Sequence, residues 1–189
     1  MALEPIKERY TELVEFFQFL IPTYLPSAGL FLMGQSAQRP PNPYIAFNPL
    51  SNIDVVGIDE YRMNSSGQEY LRGQREITCD LFAFSDSTTR FDGGDNAWEM
   101  LQELRFALKY PDVIARLTSI TCRVIDEGTV SDASQTLNST NEPRALLQIM
   151  LSTVINQEID NGAVENINAN GDLIGLDGKI VETEIIVTS

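Results

Sequence analysis

From Gly73 to Leu117 the chain reads as a strand, a turn and a helix, and this stretch constrains the fold more than any other. In Arg75 to Phe84, Ile77, Cys79, Leu81 and Ala83 share one face of a strand, while Glu76, Thr78, Asp80, Phe82 and Phe84 take the other. Apolar residues on both faces predict a central strand. Ser85 to Gly94 is rich in Ser, Thr, Asp and Gly, and Asn96 followed by Glu99 has the spacing of a capping box. The helix expected there places Ala97, Leu101, Leu104 and Leu108 in one stripe and leaves Gln102, Glu103 and Lys109 to water. Pro111 ends or kinks it, because proline removes a donor and clashes with the preceding turn; Asp112 to Leu117 reads as one more short helical turn.

The chain opens with a second amphipathic helix. Pro5 suits its first position, and Ile6, Tyr10, Leu13, Phe17, Leu20 and Tyr24 form one long stripe that Phe16, Phe19 and Ile21 widen. Its polar face of Lys7, Glu8, Glu12, Glu15 and Gln18 is mainly acidic, whereas membrane-surface helices carry basic ones; packing on a sheet or a neighbouring subunit is the better reading. Pro22 and Pro26 are expected to close it. Leu30 to Met33, Tyr44 to Phe47, and Asn52 to Asp59 read as strands, the last with Ile53, Val55 and Ile58 as its apolar positions. Glu60 to Gly73 reads as a long hairpin arm projecting from the sheet, with a solvent loop as the alternative. Ser119 to Ile125 gives a strand with Ile120, Cys122 and Val124 on one face, and Asp126 to Pro143 a turn-rich loop. In Leu146 to Ile155, Leu147, Ile149, Leu151 and Ile155 alternate with Gln148, Met150, Ser152 and Val154.

Strands, then helices, then strands predict an α+β fold: a mixed, mainly antiparallel sheet with the N-terminal and central helices packed on one face. At 189 residues the chain suits one domain that buries roughly 70% of its unfolded surface. The texture changes after Asp160. Asn161 to Gly178 is rich in Asn, Gly and Asp, and Ile180 to Val187 is a strand that pairs with an edge of the same sheet or reaches a neighbour by strand addition. Residues 1–160 therefore read as the main domain and 161–189 as a C-terminal extension, a candidate contact between subunits or proteins.

Charge and composition narrow the function classes. The net charge is -14, and residues 126–189 hold eleven acidic residues against Arg144 and Lys179, so that part is repelled by nucleic-acid phosphate and by anionic lipid. The basic residues are ten Arg and three Lys, and arginine's rigid fork suits ion pairs at interfaces. Cys79 and Cys122 both fall on predicted strands, nothing resembles a secretory signal, and no run approaches the ~20 apolar residues of a membrane span. Two reduced, buried thiols in a protein made in a cytoplasm are expected.

The chain has no histidine, which removes Ser-His-Asp and Cys-His catalysis and the commonest zinc and iron sites. Gly93-Gly94 lacks the Gly-Lys-Ser or Gly-Lys-Thr of a phosphate loop, and Asp92 and Asp95 are more simply helix-start partners than paired catalytic carboxylates. No cofactor and no enzymatic activity are expected. One metal pattern stands out: Asn166, Asn168, Asn170, Gly171 and Asp177 fall at positions 1, 3, 5, 6 and 12 of an EF-hand-like calcium loop. Against it, Asn replaces the first Asp, Asp replaces the bidentate Glu, and no helical pattern flanks the loop; two tight Asn-Gly and Asp-Gly turns explain the same residues.

The amphipathic N-terminal helix, the strand Pro40 to Phe47, the strand Gln74 to Leu81 and the helix Asp95 to Leu108, in that order, resemble the neck or tail terminator proteins of tailed bacteriophages. The resemblance covers Ile6 to Asp160 and leaves the segment from Asn161 unmatched. It implies a structural virion protein assembled in the bacterial host cytoplasm: a small subunit of a closed ring, usually a hexamer, that ends the tail tube and meets the head connector or stopper. In contractile phages the ring also meets the sheath. Implied partners are further copies of itself, the tail tube protein, the connector and the sheath; no membrane is implied, and genome DNA passes through the ring without sequence-specific binding. The arm residues Arg62, Met63, Tyr70 and Arg72 are the candidate interface with the tube or the next subunit. The alternatives are another neck or sheath-associated structural protein, or a small calcium-dependent binding module using residues 166–177.

Overall fold

The computed structural model describes residues 4–65, 69–86, 96–137, 140–158, 169–174 and 180–185. The chain runs α1 (Glu4–Tyr24), β1 (Gly29–Leu32), β2 (Tyr44–Met63), β3 (Glu69–Phe84), α2 (Ala97–Ala107), α3 (Pro111–Ser119), β4 (Cys122–Asp126), β5 (Ser131–Asp132), β6 (Gln135–Leu137), β7 (Thr140–Glu142), β8 (Arg144–Glu158), β9 (Ala169–Ile174) and β10 (Ile180–Ile185). Six strands make one open sheet in the order β1-β2-β3-β8-β4, with β5 pairing on β8. The β1–β2 pair is parallel and the others are antiparallel. This is the expected α+β architecture, with β3 in the middle.

The core lies on one face of that sheet. Ile77, Cys79, Leu81 and Ala83 of β3 and Leu147, Ile149 and Leu151 of β8 are buried beneath Leu13, Phe16, Phe17, Leu20 and Ile21 of α1 and Leu101 and Leu104 of α2. Each of the Leu, Ile and Phe side chains among them contributes about 2 kcal/mol through apolar area removed from water. The alternation visible in the sequence is thus the alternation of core and far face. Cys79 and Cys122 are buried free thiols, and loss of solvation pushes both thiols' pKa values up, so neither is poised as a thiolate.

Helix boundaries follow from caps and prolines. The Asn96 side chain accepts from Trp98 N at 2.9 Å and Ala97 N donates to Ser85 Oγ at 3.2 Å, which anchors the start of α2 to the end of β3. Pro111 opens α3. Asp92 and Asp95 lie outside the described residues. Pro22 does not close α1, which continues to Tyr24. Proline keeps a helical φ, so in a last turn it removes one donor only, and buried Leu20, Ile21 and Leu25 hold that turn in place.

Several expectations about the strands and the loop between them need correction. Tyr44 to Phe47 and Asn52 to Asp59 are parts of one strand, β2, whose register slips between Asn48 and Asn52 and again between Val56 and Glu60. Pro49, Leu50 and Ser51 face Cys79 alone, and Gly57, Ile58 and Asp59 face Gly73 alone; such bulges admit a proline that cannot join the ladder. The strand expected from Ser119 begins only at Cys122, because Ser119 ends α3 and Thr121 takes a left-handed φ of 52°. The expected loop Asp126 to Pro143 contains β5, β6 and β7, too short for alternation to reveal. Finally, β10 pairs with β9 in a separate two-stranded sheet, rather than with an edge of the main one.

Candidate assembly interface

The β2–β3 hairpin continues beyond the helices as an arm, as the sequence reading required, but three strands wide: β3 pairs with β2 out to Met63↔Glu69 and with β8 out to Tyr70↔Glu158. From Arg75 to Glu69 the arm advances about 20 Å. At its base the Arg75 guanidinium donates twice to the Asp59 carboxylate, Nη1 to Oδ1 at 2.7 Å and Nη2 to Oδ2 at 2.8 Å. This hydrogen-bonded pairing holds the Asp59 carboxyl below the usual carboxylate range and raises the Arg75 pKa. Gly73 leaves room for the pair, since a Cβ there would lie 1.9 Å from Asp59 Oδ1 and 2.2 Å from Arg75 Nη1. Gly57, at φ 77°, turns the bulge that brings Asp59 across.

The two faces of the arm differ. Register places Ile53, Val55, Tyr61 and Met63 of β2 with Ile77, Arg75, Leu71 and Glu69 of β3 on the side that carries the helices further down the sheet. Ile77 is buried and Ile53 packs against the core, but beyond them this side is open among the described residues: Val55 is 65% exposed, Tyr61 62% and Met63 63%, while Ile58 in the bulge is 90% exposed. The other side carries Glu60, Arg62, Tyr70 and Arg72. Arg62 donates to Glu60 at 2.6 and 3.1 Å, which lowers the carboxyl pKa and raises that of the guanidinium.

Of the four residues singled out from the sequence, the structure therefore brings Arg62, Tyr70 and Arg72 together and sets Met63 on the opposite face. Val55 and Ile58, read from the sequence as strand positions, are solvent-facing, and Tyr61 was not singled out as a contact.

A second apolar surface lies beside the sheet edge at β4. The end of α2, α3 and β4 enclose a cleft of about 550 Å³ whose lining includes Leu108, Ile114, Leu117, Val124 and Ile125. Phe106, Tyr110, Ile114 and Ile125 are exposed. Its lining is charged with both signs, at Arg105, Lys109 and Arg123 and at Asp126 and Glu127, and Glu127 is held by Lys109 Nζ at 3.1 Å and Arg105 Nε at 3.8 Å. Tyr24 donates to Asp112 Oδ2 at 2.8 Å, and that hydrogen bond is the main reason its pKa rises to about 12. The signal for this surface was in the sequence: Phe106 and Ile114 sit off the buried stripes Leu101/Leu104/Leu108 and Val113/Leu117.

The calcium pattern is interrupted. Asn170 and Gly171, its fifth and sixth positions, lie in β9 opposite Glu184 and Thr183, extended where a calcium loop turns sharply. Asn166, Asn168 and Asp177 lie outside the described residues.

Taken together, these surfaces offer contact area on two unlike sides of one chain. A family model described as a phage neck terminator protein matches residues 11–176. No curated protein matches the chain.

Proposed function

The chain belongs to the phage neck terminator family, and from that premise we propose that it forms a closed sixfold ring on the end of the tail tube, stops the tube's growth and joins it to the head connector. The family is one of structural phage neck proteins, so the chain is a virion component that associates with other tail and head proteins. The observation that carries the reading is the extent of the match, which takes in the whole helix-covered sheet and its arm.

A cyclic ring uses a heterologous interface, in which one surface of each subunit meets a different surface of the next. The arm and the α2–α3–β4 cleft are two such unlike apolar surfaces on one chain. The mechanism is geometric. One side of the ring fits the last tube ring, through the arm face bearing Arg62, Tyr70 and Arg72; the other side has no fit for a further tube subunit, so polymerisation ends. In a contractile tail the ring also meets the sheath. Residues 161–189 add a contact through the β9–β10 pair, since an isolated two-stranded hairpin is marginally stable and gains from a partner. With a net charge of -14 the ring presents a repulsive wall along which genome DNA slides without sticking. Assembly takes place in the host cytoplasm.

The test is tube polymerisation. Purified tail tube protein, allowed to polymerise with and without this chain, should give shorter tubes with a ring at one end when the chain is present. Tubes of unchanged length, or tubes with the chain incorporated along them, would overturn the reading.

A further inference from the structure

We propose that the Arg75–Asp59 pair is a latch that fixes the outermost strand of the arm, β2 from Ile58 to Met63, against β3, and that this short strand is a flap that lifts when the pair opens. The inference concerns the isolated subunit and holds whether or not the chain forms a ring. Three observations carry it.

First, the flap is separable from the sheet behind it. The β2–β3 ladder breaks where Gly57, Ile58 and Asp59 face Gly73 alone, and resumes for four pairs, from Glu60↔Arg72 to Met63↔Glu69. The β3–β8 ladder passes the same level without a slip, from Phe84↔Arg144 to Tyr70↔Glu158, so β3 keeps its other partner when the flap lifts. Second, the flap is thinly held. β1 pairs with β2 only from Tyr44 to Phe47, so among the described residues no strand lies along the flap's outer edge. Ile58, Tyr61 and Met63 are exposed, and the Glu60–Arg62 pair joins two residues of the flap itself. A short ladder with little buried apolar surface marks a segment that opens well before the whole domain unfolds. Third, the latch bridges the break. Arg75 pairs in register with Val55, before the bulge, and its guanidinium holds Asp59, at the end of the bulge, through two hydrogen bonds of 2.7 and 2.8 Å. The slot over Gly73 admits the pair, since a Cβ there would lie 1.9 Å from Asp59 Oδ1 and 2.2 Å from Arg75 Nη1.

Hydrogen–deuterium exchange of the full chain, read by mass spectrometry, tests it. Asp59→Asn and Gly73→Ala open the latch by different routes: the first removes the charge, and the second fills the slot while leaving both charged groups in place. Gly73 does not hold a left-handed φ, so its backbone accepts alanine and the variant probes the slot. Each variant should speed exchange across residues 58–63 about tenfold or more, while residues 77–83 and 147–151 exchange as in the parent. The double variant should exchange no faster than Asp59→Asn, because without the pair the slot has nothing to admit. Unchanged exchange across residues 58–63 in both single variants would overturn the latch. Acceleration that spreads equally to residues 77–83 and 147–151 would overturn the separate flap, because the loss is then one of global stability. Additive effects in the double variant would contradict the role given to the slot.

Discussion

Among the described glycines, Gly128 is the one at which an added methyl group meets backbone at the shortest distance. It holds a left-handed φ of 62°, and a Cβ there would lie 2.0 Å from the backbone oxygen of Gln148 in β8. Gly128→Ala is expected to destabilise by about 2 kcal/mol or more, which for a chain of this length lowers Tm by roughly 5 °C; a thermal melt followed by circular dichroism reads it, and an unchanged Tm would mean that β8 yields at no cost. Gly73 contrasts with it, because its added Cβ would meet only the ends of the Asp59 and Arg75 side chains. The pair itself predicts a pH dependence. The folded-state pKa of Asp59 is depressed by Arg75, so its stabilising contribution is fully present above the ordinary carboxylate value near ~3.9 and is lost as pH falls through the lowered folded value. Denaturant melts of the parent and of Asp59→Asn should differ by a constant amount from neutral pH to about 4 and converge below it. A gap that widens on acidification would contradict the assignment.

At the scale of elements, α2 depends on its cap. Asn96→Ala removes the acceptor for Trp98 N and is expected to destabilise by about 1 kcal/mol, read as a shift of the denaturation midpoint at constant m-value. The elements legible in the sequence were those whose burial matches their period: β3 and β8 alternate because one face is core, and α1 and α2 show stripes because each lies on that face. What stayed hidden has physical causes. Pro49 and the two bulges break the pairing of β2 without ending it, so one strand looked like two. Ile53 and Val55 alternate like core residues whether or not a helix covers them, and only the three-dimensional packing decides that Val55 stays exposed, while Ile58 falls out of that alternation into the bulge. Asn170-Gly171, a strong turn signal, lies within β9 because the pairing with β10 outweighs the local preference. The arm was legible as an element; the sorting of Arg62, Tyr70 and Arg72 from Met63 needed the register across both bulges.

At the scale of the molecule, the helices pack on one side of the sheet, and among the described residues the arm and the cleft keep apolar side chains exposed, which is compatible with the proposed ring subunit. The acidic balance fits a passage for DNA, and a basic lumen in the assembled ring would contradict that part of the account. The chain belongs to the phage neck terminator family, and we propose that it sits once, as a ring, where the tail tube ends. Cryo-electron microscopy of the native particles tests it most directly. One symmetric ring of this chain between the last tube ring and the head connector is the predicted result; absence of the chain from that junction, or its repetition along the tail, would contradict the account.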